Sequence, residues 1–316
     1  MENVMSKIKY TEWNPQSKTL ELIDIANTII EDYQSRGYEL TLRQLYYQLV
    51  SKDLIPNNEK TYNKLGSTIS KARDAGLVDW LAIVDRTRSR QGLSTWKNPA
   101  SIISAAARGF RIDKWENQLY RIFVWVEKEA LAGVISRACS DEDIQVDYVS
   151  CRGYMSASTI WREARNLRRI ARNGQIPIII HLGDHDPSGI DMTRDNIERL
   201  ELYSNLRMKA DLDIYAMPST VKIFELTRIA LNFDQVEQYN PPPNPAKLSD
   251  SRASGYVENF GYESWELDAL DPDILVDMIQ DKINSYKDED KWEEMVSIET
   301  EYIEKLEYVA ENWEKV

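Results

Sequence analysis

The chain has 316 residues, 42% of them hydrophobic, and a formal net charge of −13. That length accommodates one large or two ordinary domains with real cores, and two cysteines, Cys139 and Cys151, exclude a disulfide-stapled scaffold. No N-terminal apolar segment or membrane-length run is present, so a cytoplasmic protein with no membrane partner is expected.

In chain order, Leu20 to Tyr33 has helical spacing and stops before Gly37, a suitable C-cap. Thr41 caps a second helix, Leu42–Val50, and a third is predicted from about Glu59 to Ala75. Leu77–Trp80 is more extended, and three helices followed by short strands suggest a winged helix-turn-helix over residues 1–118. Charge matters here, because an acidic total argues against a nucleic-acid partner. Residues 1–126 carry 18 basic and 14 acidic side chains, residues 127–261 carry 16 and 20, and residues 262–316 carry 5 and 18. The acidity therefore sits at the C-terminal end. Arg86, Arg88, Arg90, Lys97, Arg108, Arg111, Lys114 and Arg121 face only Asp113 and Glu116 in their stretch, a local excess compatible with phosphate contacts.

From residue 119 onward the pattern alternates. Arg121–Val126 reads as a buried strand ending in Glu127-Lys128-Glu129, and Val146–Ser150 as a second strand followed by Cys151-Arg152-Gly153-Tyr154. A helix over 156–173 carries Arg162, Arg165, Arg169 and Arg172 on one face, a stripe suited to solvent, a dimer contact or phosphates. Ile178–Leu182 is a third strand, delivering Asp184 and Asp186 at its carboxyl end before Pro187-Ser188-Gly189 opens a helix. Open α/β sheets place ligands at that end, and paired carboxylates suit Mg²⁺, with Mn²⁺ as a substitute. Asp211–Met217 reads as a fourth strand, Asn240–Pro245 as a rigid extended loop, and Ile274–Ile283 and Trp292–Trp313 as closing helices.

The order strand-Glu127, strand-Gly153, strand-Asp184-x-Asp186 over roughly residues 120–217 resembles the Toprim fold of topoisomerases, primases and some nucleases. Upstream, Arg43 lies four positions before Tyr47, the second aromatic of Tyr46-Tyr47, and so on the same helix face. This arrangement resembles the A subunit of DNA topoisomerase VI and the related meiotic double-strand-break transesterase. The resemblance implies an α/β chain with a helical winged-helix domain (1–118) and a mostly parallel Toprim domain (119–316) ending in acidic helices. It further implies Tyr47 as the nucleophile that becomes joined to a 5′ DNA end, Arg43 as its activator or phosphate holder, and Glu127, Asp184 and Asp186 as ligands of Mg²⁺. Glu127 would also shuttle a proton. Double-stranded DNA is the implied partner, contacted through Arg86, Arg88, Arg90, Arg162, Arg165 and Arg169. A homodimer, with Tyr47 of one protomer meeting the metal site of the other, and a separate ATP-driven B-type subunit complete the analogy. Glu266-Leu267-Asp268-Ala269-Leu270 resembles a stretch that closes such modules, and its acids suit packing better than metal contact. Two alternatives stay open: a hydrolytic Toprim nuclease in which Tyr47 only packs, and a non-cleaving DNA-binding subunit.

Overall fold

The computed structural model describes residues 7–84, 95–211 and 223–315. Helices α1 (Ser17–Ser35), α2 (Leu42–Ser51), α3 (Glu59–Asp74) and α4 (Pro99–Gly109) precede the first strand, β1 (Tyr120–Val126). Then come α5 (Ala132–Cys139), β2 (Asp147–Ser150), α6 (Ala157–Arg172), β3 (Ile176–Leu182), α7 (Pro187–Asp211), β4 (Glu225–Ala230) and α8 (Phe233–Tyr239). The two-residue strands β5 (Asn244–Pro245) and β6 (Glu263–Ser264) flank α9 (Ala253–Phe260), and α10 (Pro272–Asn284) and α11 (Glu289–Glu311) follow.

The first four strands form one parallel sheet in the order β2-β1-β3-β4, so the protein is α/β as expected. The central pair is apolar on both faces, as a parallel sheet covered on both sides requires. Ile122, Val124, Val126, Ile178, Ile180 and Leu182 face a core shared with the N-terminal helices, α5 and α10. Phe123, Trp125 and Ile179 face the other layer, closed by Ile160, Ala164, Leu167 and Ile170 of α6 and Leu200 of α7.

Each N-terminal helix starts and stops for a local reason. Gly37 follows α1 at φ +78°, a left-handed conformation cheap only for glycine. Thr41 accepts from the Gln44 backbone N–H while the Gln44 side chain accepts from the Thr41 N–H, a full capping box that fixes where α2 begins. Asn58 caps α3 by accepting from the Thr61 backbone N–H.

The structure differs from the sequence expectation in two places. After α3 the chain runs as turns with single bridges, Lys9 to Ala75 and Leu40 to Ile83, and among the described residues no β-hairpin forms a wing. Asp211 closes α7 instead of opening a strand, Leu212–Met217 lie outside the described residues, and the strand beside β3 is β4. As an edge strand β4 is only partly buried, so Glu225-Leu-Thr-Arg-Ile-Ala lacks the apolar run that marks β1 and β3. Among the described residues no helix is long and apolar enough to cross a membrane.

Candidate active site

The parallel register pairs Val126 with Leu182, so β1 and β3 release their next residues side by side. The Glu127 N–H donates to the Leu182 carbonyl at 2.9 Å, and the Asp184 N–H donates to Glu127 Oε2 at 2.9 Å. The turn residue between them is close-packed: a Cβ on Gly183 would stand 2.9 Å from Glu127 Oε2 and 3.1 Å from Arg228 Nη1, so either side chain would have to shift to admit one. Arg228 reaches in from β4 beneath this turn. Its Nη2 donates to the carbonyls of Gly183 (2.8 Å), Asp184 (2.6 Å) and Leu231 (3.1 Å), and its Nη1 donates to the Gly189 carbonyl (3.1 Å) and Thr193 Oγ1 (3.0 Å). Burial lowers the pKa of this guanidinium, while Glu127, Asp184 and Asp186 work to hold its charge. Burial first, and then the Asp184 charge, pushes the Glu127 carboxyl up to about 7.

A second connection brings in residues more than eighty positions away. His185 and Trp265 exchange both backbone hydrogen bonds at 2.9 Å in an antiparallel bridge, and the Leu267 N–H donates to Asp184 Oδ1 at 2.8 Å. Glu266 and Asp268 thereby join Asp184, and one carboxylate oxygen from each lies within 4.8 Å of the others. Two basic side chains bind them. Lys128 Nζ stands 2.8 Å from Asp184 Oδ2 and 3.1 Å from Asp268 Oδ1, and also pairs with Glu266. Arg43 donates from Nε to Asp268 Oδ2 at 2.9 Å and from Nη2 to Glu266 Oε2 at 2.7 Å. Asp184 is nine-tenths hidden, and burial, opposed by Lys128 and reinforced by Asp268, raises its pKa.

The sequence-predicted residues fall into three groups. Arg43 and Tyr47 come to the cluster, with the Arg43 guanidinium 5.6 Å from the Tyr47 ring centroid. Tyr47 is buried, 5% exposed, and burial raises its pKa; Arg43 and a hydrogen bond from Asn244 pull it down, while Asp268 and Asp184 push it up. Glu127 and Asp186 flank Asp184 without joining the trio. Asp186 Oδ1 accepts from the Gly189 N–H at 2.5 Å and from Ser188 Oγ at 3.1 Å, the bonds of a residue that caps α7. Arg162, Arg165 and Arg169 line the exposed face of α6, with Arg165 stacked 4.9 Å from the centroid of exposed Trp161. Arg86, Arg88 and Arg90 lie outside the described residues.

Lys128 and Arg228 carry little signal in the sequence, and Glu266 and Asp268 are expected there to pack. The acidic pair at one-residue spacing after Trp265 was a usable signal, since it repeats the Asp184-x-Asp186 pattern. The donor set is all carboxylate oxygen, which suits a hard divalent cation. Around it, Glu127, Asp184, Asp186, Glu266 and Asp268 outnumber Lys128, Arg43 and Arg228 by two charges when all are ionised, and a divalent ion would balance that excess. No protein-family model matches the chain, and a search of curated proteins finds no match.

Proposed function

We propose that this chain is a DNA strand-breaking transesterase of the topoisomerase VI A-subunit type, built from a helical N-terminal unit and a Toprim-like parallel sheet. The observation that carries this reading is the pair of ion pairs from Arg43 to Glu266 and Asp268, which ties the helix of Tyr47 to the acidic end of the sheet. A tyrosine nucleophile, a cation beside it and a carboxylate cluster for a divalent ion are the parts that this chemistry needs.

In the proposed reaction the Tyr47 oxygen attacks a DNA phosphorus. The new bond joins tyrosine to the 5′ phosphate, the bond to the 3′ oxygen breaks, and that oxygen leaves with a proton. Arg43 stabilises the phenolate and the phosphate oxygens. Glu127, with its raised proton affinity, serves as a proton carrier near neutral pH. Mg²⁺ or Mn²⁺ bound at Asp184, Glu266 and Asp268, with Glu127 and Asp186 beside them, would neutralise phosphate charge and assist the leaving oxygen. Arg162, Arg165 and Arg169, with Trp161 between them, are the proposed phosphate-contacting face on double-stranded DNA. A homodimer and a separate ATP-driven subunit belong to the same reading, and a cytoplasmic setting fits it.

The hydrolytic reading also has an observation in its favour. Tyr47 is nearly fully buried and its hydroxyl holds its proton more tightly than a free tyrosine does, as suits packing. The deciding experiment incubates the protein with supercoiled DNA and Mg²⁺ or Mn²⁺, stops with detergent, and assays protein-linked DNA beside Tyr47→Phe. An adduct that vanishes in the variant supports transesterification. Free-ended cuts by both proteins would establish hydrolysis, and binding without cutting would leave a DNA-binding subunit.

A further inference from the structure

Arg228 stands at an irregularity of β4. The register pairs His181 with Arg228 and then Leu182 with Ala230, so Ile229 is the extra residue of a bulge, a feature that recurs beside active sites. The ladder resumes beyond it, with the Gly183 N–H donating to the Ala230 carbonyl at 2.9 Å and the Leu231 N–H to the Gly183 carbonyl at 2.8 Å. Five acceptors meet the four N–H bonds of the two Nη atoms: the carbonyls of Gly183, Asp184 and Leu231 at Nη2, and the Gly189 carbonyl and Thr193 Oγ1 at Nη1. A lysine carries three donors on one atom and cannot span that fan. Thr193 Oγ1 also lies 3.0 Å from Nδ1 of buried His181, whose pKa is pushed down to about 3 by burial and then by the Arg228 charge, so the ring stays neutral. The Asp184 main chain is held from both sides, its N–H by Glu127 and its carbonyl by Arg228. Through the Gly189 carbonyl the same guanidinium reaches the first turn of α7, which Asp186 caps.

Resting on the divalent-ion part of the proposed function and deepening it, we infer that Arg228 is a positioning residue that fixes the main chain under Asp184 and Asp186, so that their carboxylates meet the ion in one arrangement. The turn carbonyls are what the guanidinium serves: without it they would lie unpaired inside the protein, and the turn would rotate to find other donors. Its charge works the other way, because a positive group beside a cation site repels the ion. The two effects therefore predict opposite signs. Removal of a charge alone would tighten ion binding, whereas removal of the group that sets the turn loosens it.

The test follows binding of Mn²⁺ to the full chain without DNA, through the EPR signal of the free ion, beside melting temperature in chelator. Arg228→Met and Arg228→Lys are expected to weaken Mn²⁺ binding roughly 10- to 100-fold. Thr193→Val, which removes one acceptor of the fan and keeps the charge, should weaken it about 3-fold and carries the test if the arginine variants do not fold. Lys128→Met is the control for charge, since its ammonium pairs with carboxylates, and should bind Mn²⁺ more tightly than the wild type. Equal or tighter binding in folded Arg228→Met, or wild-type affinity in Thr193→Val, would overturn the inference and leave the ion site standing. A lower melting temperature with unchanged Mn²⁺ affinity would overturn it as well, since Arg228 would then serve stability alone. A wild-type protein that binds no Mn²⁺ would instead remove the ion-dependent reading and this inference together.

Discussion

Lys128 has three carboxylates around one ammonium, which makes it the residue whose loss the site should feel most. Lys128→Met keeps the aliphatic stem but leaves Asp184, Glu266 and Asp268 facing one another with only Arg43 between them. Removing one partner of a buried pair costs about 3 kcal/mol, so the melting temperature in chelator should fall. Added Mg²⁺ should restore more stability to the variant than to the wild type, because the ion then meets no competing ammonium. Thermal unfolding with and without Mg²⁺ checks this, and a variant indifferent to Mg²⁺ would argue against a cation site. Glu127 gives a pH prediction. Its folded pKa of about 7 lies above the unfolded value. Its contribution to stability is therefore complete at pH values below the unfolded pKa and lost as the pH rises through 7. Glu127→Gln should melt close to wild type at pH 5 but higher than wild type at pH 8 in chelator, by roughly 2 kcal/mol. A variant less stable than wild type at pH 8 would mean that the carboxylate is held ionised.

Two short elements place these residues. The capping box of Thr41 and Gln44 starts α2, the helix that carries both Arg43 and Tyr47. Thr41→Ala should cost about 1 kcal/mol, measurable by urea unfolding. The turn from β3 into α7 is tighter: a Cβ on Gly189 would fall onto the Asp184 carbonyl and within 3.1 Å of Glu127 Oε2. Backbone cannot yield as a flexible side chain can, so Gly189→Ala should destabilise by about 3 kcal/mol and lower any metal-dependent activity. Gly255→Ala, where a Cβ meets nothing within 4 Å, is the matched control and should stay near neutral. Legibility differed among elements for a physical reason. β1 and β3 are buried on both faces and advertise themselves as apolar runs, whereas β4 lies at an edge and devotes Arg228 to the site. An edge strand with a functional arginine carries no hydrophobic signature.

Across the whole molecule, the distance between Tyr47 and the acidic cluster is bridged inside one chain. Arg43 pairs with Glu266 and Asp268 of its own protomer, and the N-terminal helices share a hydrophobic core with the sheet. The family resemblance implies a site shared between protomers, and co-expression of two tagged chains separates the arrangements. A purified mixed assembly of Tyr47→Phe with Asp184→Ala should regain no adduct when each site is built within one chain. Recovery of about half the wild-type yield, one competent site of two, would mean that sites form between chains.

Residue order alone conveyed the parallel α/β class, the strand-end acids Glu127 and Asp184, and the pairing of Arg43 with Tyr47 on one helix face. Those features depend on local periodicity and on spacing within a single element. The membership of the acidic cluster depended on the fold, because the bridge between His185 and Trp265 joins segments eighty residues apart and no local pattern encodes that pairing. The same holds for Lys128 and Arg228. Each is unremarkable in its own segment, and each acquires its role from the charges and hydrogen-bonding groups that chain closure sets against it.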